Sequence, residues 1–116
     1  MLETKKLAGF ISDLKYDNLP DEVIEMAKKC LLDYFGVALF ATQTEWGRII
    51  LEYASVNNVG YASMLPGSEK KYHPQMAALA NGTCAHGFEL DDVNTLSISH
   101  PGSVVIPASI ALGEER

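Results

Sequence analysis

The chain has 116 residues, of which 47% are hydrophobic and 21% are charged, and its formal net charge is −6. A chain of this length fits one domain with a sizeable core, and its scattered lysines exclude a nucleic-acid-binding surface, which needs clustered Lys and Arg. The most apolar stretch, residues 30–41, is interrupted by Asp33 and is shorter than the ~20 residues needed to cross a bilayer. No signal peptide is visible in residues 1–15, so we expect a cytoplasmic protein that interacts with neither nucleic acid nor membrane.

Two helices are predicted before residue 42, separated by a break at Pro20. Apolar residues recur at helical spacing over residues 3–15, which predicts a short amphipathic helix. Pro20 suits the first turn of the second helix, because its missing N–H costs nothing at that position. The second half of this helix, residues 31–40, is apolar nearly all round, so it is predicted to be a central helix packed on several sides. Gly36 is interpreted as a point where a neighbouring helix approaches closely.

A third helix is predicted over residues 44–59, and Gly60 is well placed to end it. Residues 61–65 form a short apolar piece that predicts either a lone strand or an extended connector. The polar residues that follow, 68–72, are predicted to form an exposed loop.

Two more helices follow this connector. Pro74 opens a fourth helix that is predicted to extend to about Phe88. The last helix is predicted to begin near Pro101, with a kink at Pro107, or else to begin nearer Pro107 itself. The predicted elements are therefore almost all helical.

The residues best suited to chemistry lie in one stretch, 81–103. Within fifteen residues it contains two of the three histidines and three carboxylates: His86, Glu89, Asp91, Asp92 and His100. If residues 86–93 are helical, His86 and Glu89 share one face and Asp92 lies beside Glu89. A histidine among clustered carboxylates can move protons near neutral pH, so the stretch suits proton transfer to or from carbon. Phosphate transfer and dinucleotide binding are disfavoured, because neither glycine-rich motif is present.

Other interpretations of the same stretch stay open. The acidic residues suit a solvated helical turn, His86 suits a histidine hydrogen-bonded in the core, and His100 suits a loop histidine that caps the next helix. Metal binding is a further hypothesis, in which His86-x-x-Glu89 supplies two ligands and Asp92 and His100 complete the shell. The two cysteines, Cys30 and Cys84, have neither CxxC spacing nor a secretory context, which predicts two reduced, buried thiols.

Five segments, taken in order, resemble the MmgE/PrpD family, which includes 2-methylcitrate dehydratase and cis-aconitate decarboxylase. Their sequences are LPDEV at 19–23, LLDYFGVAL at 31–39, AALANG at 77–82, AHGFELDD at 85–92 and HPGSVVIPA at 100–108. The segments keep the order of the family and similar gaps, and they span nearly the whole chain.

The resemblance implies that residues 1–116 are the N-terminal portion of a large all-α domain, a helical bundle. The remainder of that domain and a smaller α+β domain are expected to lie outside this chain. The resemblance also implies a homodimer, or another homo-oligomer, that needs neither a metal nor an organic cofactor.

The implied function is that of a lyase or isomerase that dehydrates, decarboxylates or epimerises small di- and tricarboxylates. The shared step is movement of a proton at a carbon next to a carboxylate. The isolated chain is expected to be inactive, because no Lys or Arg lies near the acidic stretch to bind a polyanionic substrate. The alternative is a non-catalytic helical module that self-associates through its apolar faces.

Carried over residue by residue, the resemblance implies catalytic roles for His100 and Asp92. Substrate contacts are implied for the other residues of the stretch and for the start of the last helix: His86, Glu89, Asp91, Gly102 and Ser103. Backbone N–H groups at that helix start offer an anion site. The chain departs from the usual family pattern at Glu89, where Asp is common, and at Val93, where a substrate-contacting Thr is common. The substrate and the reaction therefore stay open.

Overall fold

The computed structural model describes residues 2–56, 60–64 and 69–114. The helices within these ranges are α1 (Leu2–Asp13), α2 (Asp21–Ala41), α3 (Glu45–Ser55), α4 (Pro74–His86) and α5 (Pro101–Gly113), with a 3-10 turn at Tyr16–Asn18. Extended pairing in the described part of the chain consists of two isolated antiparallel bridges. The predicted all-α fold is therefore confirmed. None of the helices in the described ranges combines the length and the hydropathy that a membrane-spanning helix requires.

The helix starts follow local chemical signals. Pro20 directly precedes α2, where it replaces an N–H that would have no helical partner. Thr44 caps α3, since its Oγ1 accepts a hydrogen bond of 3.2 Å from the N–H of Gly47. Pro74 and Pro101 occupy the first positions of α4 and α5. The predicted starts of these helices are therefore close to the observed ones.

The central helix of the bundle is α4, which packs against α2, α3 and α5. Its buried positions carry small side chains: Ala77, Ala80, Asn81, Cys84 and Ala85. One core cluster includes Ala77 and Ala80, and a second includes Cys84 and Ala85. Because small side chains allow helix axes to come close, a single helix can contact three neighbours.

The prediction that α2 is a central helix packed on several sides is wrong for the described residues. Its buried residues are Tyr34, Ala38 and Ala41, which join one core cluster. In contrast, Leu32 is 76% exposed and Phe40 is 56% exposed. Burial requires a neighbour as well as an apolar side chain, and the described helices cover one face of α2 only.

Close approach between helices occurs at Gly82 rather than at Gly36. A Cβ added to Gly36 meets no described atom within 4 Å, so the predicted contact there is wrong. A Cβ added to Gly82 in α4 would lie 2.7 Å from the carbonyl oxygen of Ser103 in α5. The usual helical partner of that carbonyl, the N–H of residue 107, is missing because Pro107 occupies the position. Glycine at position 82 therefore sets the distance between α4 and α5.

The connector between α3 and α4 contributes to the core. Ala62 and Tyr72 exchange backbone hydrogen bonds of 3.1 and 2.9 Å, so the predicted strand or connector contains a single bridge. Tyr72, predicted to lie in an exposed loop, is 5% exposed and joins a core cluster. The helix α3 ends at Ser55, and its predicted extension over 57–59 lies outside the described residues, as do residues 65–68.

A hydrogen-bonded carboxylate joins the end of α5 to this connector. Glu114 accepts hydrogen bonds from the Ser63 N–H at 2.6 Å and from Ser63 Oγ at 2.5 Å, and Lys71 Nζ lies 3.1 Å from it. Partial burial acts to raise the pKa of Glu114, but the Ser63 hydrogen bonds and the Lys71 charge together lower it, and the net shift is downward. The folded state therefore favours the charged carboxylate.

Substitution of this carboxylate should have a pH-dependent effect on stability. Glu114→Gln is expected to lower the free energy of unfolding by about 1 kcal/mol at neutral pH. A lowered pKa gives stability that is fully present above the ordinary Glu pKa of about 4.3 and is lost as pH falls through the lowered value. Urea unfolding at neutral and acidic pH measures the difference, with Glu52→Gln at an exposed position of α3 as the control. A penalty that persists in strong acid would contradict this linkage.

Candidate functional site

The chain turns out of the helix where α4 ends, at His86. Glu89 donates its N–H to the His86 carbonyl at 2.8 Å and has a φ of 51°, in the left-handed region. A Cβ on Gly87 would overlap the Trp46 side chain, so the indole packs closely against this exit. The helix predicted to extend to about Phe88 therefore ends at His86. Residues 86–93 are not a continuous helix, so the condition for a helical face shared by His86 and Glu89 is not met.

This turn brings Asp91 back to His86 and next to His100. His86 Nδ1 lies 3.2 Å from both carboxylate oxygens of Asp91, and His100 Nδ1 lies 3.3 Å from Oδ1. The two imidazole centroids are 4.7 Å apart. The Asp91 side chain is 3% exposed, whereas those of His86 and His100 are 47% and 27% exposed. In this His–Asp–His cluster, one buried carboxylate faces the Nδ1 atom of two imidazoles and leaves the Nε2 atom of each for other partners.

Asp92 contacts the start of α5 instead of either histidine. Its Oδ1 accepts a hydrogen bond of 2.8 Å from the Gly102 N–H, and a side chain at residue 102 would overlap this carboxylate. Ser103 Oγ donates a hydrogen bond of 3.0 Å to the His100 carbonyl. The Gly102 N–H, predicted to bind a substrate anion, therefore already has a carboxylate of the protein as its partner.

Loss of the Asp92 side chain should weaken the start of α5. Asp92→Ala is expected to lower the free energy of unfolding by about 1 kcal/mol, because the first turn loses a hydrogen-bond acceptor and a compensating negative charge. Asp92→Asn keeps an acceptor oxygen and should lose less. Urea unfolding of both variants provides the measurement. Equal stability of the alanine variant and the wild type would show that this contact does not act as a cap.

The predicted site residues fall into three groups. His86, Asp91 and His100 form the cluster, while Asp92, Gly102 and Ser103 form the adjoining start of α5. Glu89 lies apart on the exposed turn, and its carboxylate makes no ion pair with the described residues. The catalytic and substrate-binding roles assigned to these residues stay predictions.

Two open grooves reach the cluster. One, of about 420 Å³, is lined by Asp91 and Asp92 and by Lys29 and Asp33 of α2. The other, of about 450 Å³, runs between α4 and α5 and is lined in part by His86. Lys29 brings a positive charge to the acidic turn that sequence analysis missed. The sequence does not indicate that Lys29 lies near the acidic turn, because only tertiary packing brings α2 next to that turn.

Of the two cysteines, Cys84 is buried away from this site, whereas Cys30 lines the same groove as Asp91. Both are free thiols, with Cys84 buried in the core and Cys30 half-buried. Burial raises the pKa of the Cys84 thiol, so it stays protonated and unreactive at neutral pH. The neighbouring Tyr34 hydroxyl also has a raised pKa, first because of burial and then because of Cys84.

Comparison with known proteins agrees with this helical architecture. The MmgE/PrpD N-terminal domain matches residues 5–116. A cis-aconitate decarboxylase-like protein of Aspergillus oryzae is 32% identical over 115 residues, which cover 96% of this chain and 23% of that protein. The cis-aconitate decarboxylases of Mus musculus and Homo sapiens are each 31% identical over 112 residues, with the same coverage. The chain thus spans 23% of the length of these relatives, and it belongs to the MmgE/PrpD family, whose N-terminal domain it matches.

Proposed function

We propose that this chain supplies acid–base residues to a lyase that acts on small di- or tricarboxylates. The supporting observation is the His–Asp–His cluster, in which Asp91 lies 3.2 Å from His86 Nδ1 and 3.3 Å from His100 Nδ1. Dehydration, decarboxylation and epimerisation all require a proton to move at a carbon next to a carboxylate. Among them decarboxylation is favoured, because the relatives in mouse and human are named cis-aconitate decarboxylases. Cis-aconitate is therefore the first substrate to test.

His100 is the proposed proton donor or acceptor. The Asp91 carboxylate faces its Nδ1 atom and orients the ring, while Nε2 exchanges the proton with the substrate carbon. Because the Asp91 side chain is 3% exposed, its proposed role is to position the two imidazoles rather than to contact substrate. Asp92, predicted to be catalytic, is proposed instead to hold α5 through the Gly102 N–H.

A polyanionic substrate needs positive groups beside this cluster. Lys29 lines the same groove as Asp91, Asp92 and Asp33, so one lysine faces three carboxylates there. The groove therefore keeps a net negative charge, which opposes binding of di- and tricarboxylates. We accordingly propose that the isolated chain is inactive and that other parts of a longer, homo-oligomeric cytoplasmic enzyme supply further cations.

The test joins this chain to the rest of a working relative. The chain replaces the corresponding N-terminal region of the Mus musculus cis-aconitate decarboxylase, and release of CO₂ from cis-aconitate by the fusion is the expected result. The unmodified relative is the positive control, and the 116-residue chain alone is expected to be inactive. Other small carboxylates, including 2-methylcitrate, separate decarboxylation from dehydration and epimerisation. A fusion that is folded by circular dichroism and acts on none of them would contradict the proposal.

Exposed apolar faces favour self-association as a second candidate function. Phe10 on α1, Leu32 on α2 and Val104 on α5 are 62%, 76% and 70% exposed, and α1 contributes no buried residue. Contact with a second copy would remove this apolar surface from water. We expect analytical ultracentrifugation to show a dimer that forms as the concentration rises. A monomer at every concentration would count against self-association and leave the lyase proposal unaffected.

A further inference from the structure

We propose that His86 is a positioning residue for His100 and acts through the carboxylate of Asp91. Hydrogen bonds from His86 hold this buried carboxylate beside Nδ1 of His100, and the carboxylate in turn decides which nitrogen of His100 faces the substrate. The family resemblance instead implies a substrate contact for His86. The inference rests on the proposed function, in which Nε2 of His100 exchanges a proton with the substrate carbon.

The hydrogen bonds to the Asp91 carboxylate come from His86. His86 Nδ1 lies 3.2 Å from both Oδ1 and Oδ2, and no other described residue forms a hydrogen bond with this carboxylate. An ionised carboxylate only accepts hydrogen bonds, so Nδ1 of His86 carries the hydrogen and donates it. Because the Asp91 side chain is 3% exposed, loss of this donor would leave a buried charge without a hydrogen bond.

The contact between Asp91 and His100 is of a different kind. Nδ1 of His100 is buried from solvent and lies 3.3 Å from Oδ1 of Asp91, but it forms no hydrogen bond with any described residue. At this distance a negative oxygen attracts an N–H and repels a nitrogen lone pair, so the carboxylate favours hydrogen on Nδ1 and leaves the lone pair on Nε2. Because this contact lacks a hydrogen bond, the position of the carboxylate depends on His86.

The two imidazole rings also pack directly against each other. Their centroids are 4.7 Å apart and their planes are inclined by 60°. His86 ends α4 and His100 directly precedes α5. Ring packing and hydrogen bonding by His86 are therefore separate contributions to the orientation of His100, and they can be removed one at a time.

The surroundings of His86 favour a positioning role over contact with a polyanionic substrate. His86 lines the groove between α4 and α5, and the other described residues that line it, such as Leu79 and Val104, are uncharged. The groove that contains Lys29 is lined by Asp91 and not by His86. A substrate with two or three carboxylates needs cationic partners. The groove beside His86 is therefore the less suitable of the two for such a substrate.

The experiment compares two replacements of His86 in the fusion with the Mus musculus enzyme. His86→Phe keeps a ring against His100 but removes the Nδ1 donor, whereas His86→Asn places an amide N–H close to the position of Nδ1. We expect kcat for CO₂ release to fall about 100-fold in the phenylalanine variant, because misplacement of a catalytic group costs a factor of this size. KM should change little, and the asparagine variant should recover most of the loss.

The control is His73→Gln, which should keep the kcat of the unsubstituted fusion, because His73 is exposed at the opposite end of α4. An unchanged kcat in His86→Phe would overturn the proposal. Equal losses in the two His86 variants would also overturn it, because the hydrogen-bond donor would then not be what matters. A raised KM at constant kcat would indicate a substrate contact instead.

Imidazole ¹⁵N spectra of the unsubstituted 116-residue chain test the inference without turnover and without variants. When the rings are neutral, we expect His86 and His100 both to carry hydrogen on Nδ1. Hydrogen on Nε2 of His86 would overturn the proposal, because Nδ1 could then not donate to Asp91. An inactive fusion would contradict the lyase proposal, whereas the spectra decide the role of His86 on the chain itself. The two proposals therefore fail on different measurements.

Discussion

Replacement of His100 by glutamine in the fusion with the Mus musculus enzyme is expected to lower kcat by about 10²- to 10⁴-fold. A positioned general acid or base contributes a rate factor of this size. Glutamine keeps a polar side chain opposite Asp91 but cannot take up and release a proton near neutral pH. Because the loss falls on the chemical step, KM for cis-aconitate should change far less than kcat. Steady-state release of CO₂ measures both constants.

The control for this loss is His73→Gln, which removes the exposed histidine that precedes α4. The control variant should keep the kcat of the unsubstituted fusion, because residue 73 lies at the far end of α4 from the cluster. Circular dichroism of the His100 variant checks that its fold is retained. An unchanged kcat in the His100 variant would show that His100 is not the acid–base residue. The chain would still belong to the MmgE/PrpD family.

Most helix boundaries could be predicted because chemistry within one turn of chain sets them. Pro20, Pro74 and Pro101 mark helix starts through a missing N–H, and Thr44 caps α3 through Gly47. None of these signals depends on what lies across the bundle. These signals can therefore be recognised in the sequence before the fold is known.

The packing order of the helices could not be predicted in the same way. The pattern of α2 contains large apolar residues such as Leu32 and Phe40, and it therefore predicts burial. The bundle is instead built around α4, whose alanines allow three helices to come close. The hydrophobicity of a residue determines how much free energy is gained when the residue is buried. It does not determine which neighbouring element packs against that residue.

The candidate site could be predicted as a stretch of sequence but not as a geometry. Helical spacing from His86 selects Glu89 for the same face, whereas the structure brings Asp91 there. A left-handed conformation costs a non-glycine residue about 1–2 kcal/mol, so local propensity disfavours the turn at Glu89. Contacts of Asp91 with the histidines and of Trp46 with Gly87 accompany the turn. Long-range packing thus decides which carboxylate faces the imidazoles.

The position of α4 on α5 depends on Gly82, and its substitution should have the largest effect on stability. Gly82→Ala is expected to lower the free energy of unfolding by about 2 kcal/mol. The new Cβ would lie 2.7 Å from the Ser103 carbonyl oxygen and 3.4 Å from Pro107 Cγ. A backbone carbonyl cannot rotate away as a side chain can, so α4 and α5 must separate. This loss exceeds the ~1 kcal/mol by which alanine favours a helix over glycine.

Gly36→Ala makes the same chemical change inside α2 and is the matched control. Its Cβ meets no described atom within 4 Å, so helix propensity acts alone and should stabilise the chain by about 1 kcal/mol. Urea unfolding should therefore give changes of opposite sign, about 3 kcal/mol apart. Stabilisation by Gly82→Ala as well would mean that α4 and α5 do not touch there. The proximity of His86 to His100 in the cluster would then also be unsupported, because His86 ends α4 and His100 directly precedes α5.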